Sequence, residues 1–421
     1  MGFLRLLTDC SVYASVGGVN STRSADAVVV GGGTIGAWTA WFLKRSGLSR
    51  VVLVEAGTLG QGASSRAAGM VRAQGGTPTA VRLGMFSRDF YAGQGAELGI
   101  DSGFVAAGYY LPCFTEGEVA QAHQRIAMQQ DCGLEVRWVG ADEFDAGNPI
   151  AAPGRTLGAS YAAGDGYLDP PRNVLAYTAA LFTAGVEVRE RTAMTGLAIT
   201  GGRVTGVQTT AGLIETDRVV ITGGPQLGTI GELLGARIPS GGVRHQVVIT
   251  EPHAEVAPDR LPMVFDLVAG IYWRPCEGGV MWGMSNPDES PGEAREFDWG
   301  YYEKVRQRVV ELMPVIGRLG LRRAWAATID YTPDHLPILG PLLVGDGAPA
   351  ELDRIEGTTV AGAGGQGMMW GPGVARAAAD LALTGHTDLV DAGELGLDRF
   401  DAAGRSRLDP DPIALPFPER T

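Results

Sequence analysis

The stretch that most restricts how this chain can fold runs from Ala27 to Gly57. AVVVGGG is a short apolar, β-branched run that ends in three glycines, and TIGAWTAWFLKRSG follows it with Ile35, Trp38, Trp41 and Phe42 at helical spacing. Gly47 stands where a helix would be capped, and VVLVEAG then supplies a second strand of the fully buried type. Parallel strands cannot be joined by a tight hairpin, so strand, glycine turn, helix and strand in this order demand a parallel sheet with a right-handed crossover. The expected fold class is α/β.

Within that unit Gly31, Gly33 and Gly36 match G-x-G-x-x-G, and Glu55 ends the next strand 19 residues after Gly36. Each position answers a need of a dinucleotide. Gly31 permits the tight turn, Gly33 lets a pyrophosphate approach the backbone, and Gly36 allows helix and strand to pack closely. The helix N-terminus, with Thr34 and Ile35, offers unpaired N–H groups to phosphate. Glu55, followed by Ala56, would accept hydrogen bonds from the hydroxyls of a ribose.

Flavin and nicotinamide dinucleotides share this fingerprint, and the downstream text separates them. GQGASSRAAGMVRAQGG (60–76) is a small-residue, polar segment suited to wrapping a pyrophosphate and a flavin, and a nicotinamide enzyme has little need of it. Near the other end, AGAGGQGMMWGPG (361–373) is a second glycine loop that opens a helix with Pro372 in its first turn. Such a loop can aim N–H groups and a helix dipole at the pyrimidine end of an isoalloxazine.

Composition narrows the remaining classes. The chain holds 63 glycines in 421 residues, about twice the usual share, yet 45% of residues are hydrophobic, which excludes disorder and collagen. A net charge of −13 argues against a nucleic-acid partner. Cys10, Cys113, Cys132 and Cys276 lie far apart, with no zinc or disulfide spacing, which fits a reducing compartment and a cytoplasmic location. No metal is expected: the five histidines, His123, His245, His253, His335 and His386, show no ligand spacing. Residues 1–24 read as a flexible leader and the chain after 404 as irregular surface. Helices are expected near 116–131, 172–182 and 300–313, with a hairpin turn at Cys276-Glu277-Gly278-Gly279.

The ordered succession VVVGGGTIG, VVLVEAG, GASSRAAGMVR, VEVRE, RVVITGGPQLG, RHQVVITEP, IYWRPCEGGVMWG, TPDHLPILG and GAGGQGMMWGPGVARAAADLA resembles the FAD-dependent amine and amino-acid oxidoreductases of the D-amino-acid-oxidase superfamily. The branch is that of sarcosine oxidase, glycine oxidase and dimethylglycine dehydrogenase, and the resemblance spans about 25–390. It implies a Rossmann-like FAD-binding domain with a parallel sheet, built from 25–95, 151–240 and 330–403. It also implies an α+β substrate domain with an antiparallel sheet, built from 96–150 and 241–329, with 404–421 as a tail. Motif by motif, Ser64, Ser65 and Arg66 would lie at the pyrophosphate and central region, and Ala68, Gly69 and Met70 along the flavin. Val188 would meet the adenine, Gly223 and Gly224 would close over the ADP, and Gly364, Gly365, Gln366, Gly367 and Met368 would surround the pyrimidine end. Arg66 stands where dimethylglycine dehydrogenases carry a flavin-linked histidine, and the last loop lacks the cysteine of monomeric sarcosine oxidases, so FAD is expected to be non-covalent.

The reaction the resemblance implies is hydride removal from the carbon beside an amine nitrogen, with O2 or another electron acceptor closing the cycle. A carboxylate substrate calls for an arginine. Arg274 is the first choice, on one strand face with Tyr272, and Arg72 the second. His335 and His245 are candidates to face the site, and Met281, Met284, Met368, Met369, Trp273, Trp282 and Trp370 for an apolar pocket. An alternative is an FAD-carrying β-type subunit of a heteromeric amino-acid or opine dehydrogenase complex. Monomer, homo-oligomer and heteromer all stay open.

Overall fold

The computed structural model describes residues 24–256, 261–293, 296–345 and 347–413. The expected leader therefore lies outside the described residues, apart from Ser24.

Five parallel strands run in from one edge of a nine-stranded sheet, in the order Glu187–Arg189, Val51–Val54, Ala27–Val30, Val219–Ile221 and Asp353–Gly362. The three middle strands, AVVV, VVLV and VVI, are uniformly apolar because both of their faces are covered. Ala27, Val29, Val51, Leu53 and Val220 face a core with Trp38, Trp41 and the C-terminal helix Gly371–Thr384. Val28, Val30, Val52, Val54, Val219 and Ile221 face a second core with Val204, Val207 and Ile338. The helix Thr34–Arg45 is the crossover between the first two strands.

An eight-stranded second sheet runs Leu321–Tyr331, Gly241–Thr250, Gly279–Ser285, Ile271–Cys276, Met263–Asp266, Tyr109–Cys113, Gly158–Ala162 and Arg137–Gly140. All pairings are antiparallel except Met263–Asp266 with Tyr109–Cys113. The strand Gly158–Ala162 thus pairs in the second sheet, although the expected boundary at 151 placed it with the first unit. Glu277 and Gly278, at φ 53° and 79°, form the hairpin turn between Cys276 and Gly279, as the sequence suggested.

The helices Glu116–Asp131, Pro170–Ala184 and Trp299–Leu312 match their expected positions to within about two residues. A 21-residue helix, Pro78–Leu98, has no counterpart in the sequence reading. Thr77 caps it and Gly99 ends it in the left-handed conformation, but Gly84, Gly93 and Gly95 dilute its helical signal. Gly84 is there for packing, because a Cβ would stand 2.8 Å from the Ala73 Cα. The tail is irregular as far as Ile413, with 414–421 outside the described residues, but it is not all surface. Asp411 and Ile413 are buried, and Ile413 packs with Tyr272, Phe265 and Met281 because this side of the second sheet needs an apolar cover.

Candidate functional site

A cavity of about 610 Å³ runs along the C-terminal ends of the parallel strands and on to the second sheet. Its wall is built from several chain segments: 30–36, 54–57, 60–64, 66–70, 192–194, 222–226, 328–330 and 365–369, with His245 and Tyr272 from the second sheet.

The three fingerprint glycines do different work. A Cβ on Gly31 would stand 1.9 Å from the Thr222 carbonyl oxygen, and φ there is +100°. A Cβ on Gly36 would meet the Gly31 carbonyl oxygen at the same distance. Protein packing alone demands glycine at both. At Gly33 the nearest protein atom to such a Cβ is Ser64 Oγ at 3.2 Å, and at Gly224 and Gly367 nothing lies within 4 Å. These last three line the cavity, so their bare backbone faces the space a ligand would fill.

Side chains hold this backbone in place. Thr34 N donates to Ser64 Oγ at 2.9 Å, and Asn173 Nδ2 donates to Thr34 Oγ1 at 3.2 Å. Asn173 Nδ2 also lies 3.5 Å from the Met368 Sδ, and Tyr91 OH donates to the Met368 carbonyl, so the two glycine loops are tied together from behind. Both Glu55 oxygens accept from backbone, one from Gly32 N and one from Gly57 N, each at 2.7 Å. That aims a carboxylate at the mouth of the cavity beside the fingerprint turn.

At the other end, His245 Nδ1 lies 2.8 Å from Ser285 Oγ, and Nε2 hydrogen-bonds the Tyr272 hydroxyl. Burial pushes the His245 pKa down to about 4 and pushes that of Tyr272 far up, so both are neutral at neutral pH. Tyr272 lies across Gly283, where a Cβ would fall 1.9 Å from its hydroxyl oxygen. A larger residue at 283 would displace the ring.

Of the expected site residues, Gly31, Gly33, Thr34, Ile35, Gly36, Glu55, Ala56, Ser64, Arg66, Ala68, Gly69, Met70, Gly223, Gly224, Gly365, Gln366, Gly367, Met368, His245 and Tyr272 are brought together on the wall. Ser65, Val188, Gly364, Arg72, Arg274 and His335 are not on it. Val188 pairs with Leu53 inside the sheet, and Thr192, Ala193 and Met194 line the cavity in its place. Gly364 packs against the Leu336 carbonyl oxygen. His335 occupies a turn at φ 57°.

Both candidate arginines are buried and bonded to main-chain carbonyls. Arg274 shares a face with Tyr272, as its spacing suggested, but its Nε donates to the Ala68 carbonyl at 2.8 Å and Nη1 to that of Pro275. Arg72 donates to the carbonyls of Gln74 and Ile413 and lies against the rings of Tyr109 and Phe265. Of the apolar set, Met368 and Met369 line the cavity, whereas Trp273, Trp282 and Met284 point to the opposite side of the second sheet, into the core with the helix Trp299–Leu312. Asp330, Thr222 and Asn173 belong to the site without any motif to announce them. Their roles depend on neighbours far away in sequence.

A family model described as FAD dependent oxidoreductase (DAO) matches residues 26–381. The chain belongs to this family. FAD is accordingly its cofactor and oxidoreduction its activity, and the open backbone at Gly33, Gly224 and Gly367 fits such a ligand. The chain is 26% identical over 390 residues to 4-methylaminobutanoate oxidase (formaldehyde-forming) of Paenarthrobacter nicotinovorans, covering 90% of itself but 46% of that protein. To sarcosine oxidase subunit beta of Rhodobacter capsulatus it is 27% identical, with 89% of this chain and 88% of the relative covered. The crystal structure of glycine oxidase from Geobacillus kaustophilus superposes with a TM-score of 0.76 at 27% identity, over 89% of this chain and 98% of that one. Among the described residues, no helix is long and apolar enough to cross a membrane, and no group of acidic, histidine or cysteine side chains could hold a metal ion.

Proposed function

We propose that this protein oxidises the C–N bond of a secondary amine or amino acid of the sarcosine, glycine or D-amino-acid type, giving an imine that water hydrolyses. The observation that carries the reading is the single cavity that runs from Glu55 and the fingerprint turn to the Tyr272–His245 pair. FAD, bound non-covalently, supplies the two-electron acceptor. The protein binds it through Gly33, Ser64, Gly224 and the 365–369 loop, and keeps water out with Met368 and Met369.

Tyr272 and His245 select the neutral amine. An amine gives up hydride readily only when its nitrogen lone pair is free, so an ammonium must first lose its proton to solvent. Burial keeps His245 neutral. With Nδ1–H donating to Ser285 Oγ, its Nε2 accepts from the Tyr272 hydroxyl. The Tyr272 oxygen can then accept an N–H of the neutral amine, and no cation is needed in the wall. The second histidine candidate, His335, has no part in this arrangement.

Arg274 supports the flavin segment through the Ala68 carbonyl and sits behind the wall, so a substrate carboxylate would reach it only by displacing that bond. Recognition then centres on the amine. The test is a panel of N-methyl amino acids, D-amino acids and cyclic imino acids with the FAD-loaded protein under anaerobic conditions. Reduction by at least one class supports the reading, and reduction by none contradicts it.

The β-type subunit of a heteromeric dehydrogenase is a second reading, favoured by the likeness to a sarcosine oxidase subunit. Leu175 and Phe182, 64% and 86% exposed on one face of the helix Pro170–Ala184, would suit a partner subunit. Size-exclusion of the purified chain, with activity on O2 against an artificial dye, separates the two.

A further inference from the structure

Asp330 lies on the cavity wall, two residues past Thr328 on the strand Leu321–Tyr331, so both side chains leave the same face. Its carboxylate is buried beside its own backbone amide and those of Gly365, Ala363 and Gly364, the opening of the second glycine loop. Those three amides are its principal stabilising partners from elsewhere in the chain, and no basic group stands among them. Gly364 and Gly365, at φ 58° and 96°, adopt the backbone that turns these N–H groups toward one acceptor. Burying a carboxylate against amides alone is costly, and burial raises its pKa while the amides oppose the rise.

The arrangement changes what the loop does. Gly364 and Gly365 turn N–H groups toward Asp330, and the loop then continues along the cavity wall through Gln366, Gly367 and Met368. We propose that Asp330 is a positioning residue for the flavin. It holds the second glycine loop in the shape that presents Gly367 and Met368, and its fixed negative charge makes the adjacent flavin harder to reduce than the loop amides alone would. The inference rests on the flavin lying against residues 365–369.

Two substitutions separate the parts of this proposal. Asp330→Asn keeps the shape and one acceptor oxygen but removes the charge. FAD should stay bound within about threefold of wild type, while the equilibrium constant for reduction, read against a redox dye, should rise by about tenfold. Asp330→Ala removes the acceptor, and FAD affinity should fall by about tenfold or more. Unchanged dye equilibrium in D330N overturns the charge effect, and unchanged FAD affinity in D330A overturns the positioning. If D330N does not fold, D330S, smaller and equally neutral, is read in the same way. D330E keeps the charge, and a tenfold rise there too would assign the effect to loop shape and overturn its electrostatic origin. A wild-type protein that holds no FAD would instead defeat the flavin placement itself.

Discussion

Adding one methyl group at Gly33 and, separately, at Gly31 should split ligand binding from folding. At Gly33 the backbone has φ −82°, open to any residue, and the new Cβ meets only Ser64 Oγ at 3.2 Å. Alanine lowers the entropy of the unfolded chain by about 0.4–1 kcal/mol and is a poorer N-cap by a similar amount, so stability without FAD should stay within about 1 kcal/mol of wild type. The methyl group does intrude on the surface where the pyrophosphate would lie. Overpacking of about 1–3 kcal/mol corresponds to roughly 5- to 150-fold weaker FAD binding. At Gly31 the Cβ would stand 1.9 Å from a main-chain oxygen at φ +100°, so strain and overpacking together should destabilise the fold by about 2–5 kcal/mol. Urea unfolding of the FAD-free proteins gives the stabilities, and quenching of FAD fluorescence gives the affinities. Wild-type FAD affinity in G33A, or a loss of FAD-free stability in G33A as large as in G31A, would show that Gly33 does not face the ligand.

Three further outcomes follow from named contacts. His245 has its pKa lowered to about 4 from an unfolded value near 6.5, so its contribution is full above pH 6.5 and disappears as pH falls toward 4, by roughly 3 kcal/mol. Asp165, raised by burial to about 6, shifts stability the opposite way over an overlapping range. The wild-type-minus-H245Q difference in urea midpoint between pH 7.5 and pH 4.5 therefore isolates the histidine, and H245Q should lose less on acidification. Arg274→Ala frees the Ala68 carbonyl, so FAD affinity should fall by about 1–3 kcal/mol, with KM for the best substrate at saturating FAD changing less than about threefold. A large KM change with FAD binding intact would return Arg274 to substrate binding. Arg399→Met leaves the Asp334 carboxylate buried without its partner, and thermal unfolding should show a loss of about 3–5 kcal/mol.

The sequence made the cofactor half of the site legible because its geometry is local. A strand, a turn that only glycine can make and a helix N-terminus lie within a dozen residues, so Gly31, Gly33, Gly36 and Glu55 could be read from spacing alone. The hairpin at Glu277-Gly278 was legible for the same reason. Long-range acceptors were not. Arg274 has the expected face and neighbour, yet the Ala68 carbonyl, 206 positions away, engages its guanidinium. Asp330 acquires its role only when the start of the last glycine loop folds over it. The tail reads as polar surface because Asp411 and Ile413 show nothing of the apolar sheet face and the arginine they cover. Helix Pro78–Leu98 was hidden by glycines that serve packing rather than turns.

If these scattered backbone segments close around one flavin that accepts electrons from an amine, the visible spectrum of the purified protein will show it, recorded before and after anaerobic addition of N-methyl and D-amino acids, with the flavin released by denaturation quantified per chain. The protein should be yellow and hold about one FAD, freed without proteolysis, with an absorbance that bleaches on addition of at least one amine. A colourless protein that releases no FAD, and takes none up when it is supplied, would contradict this.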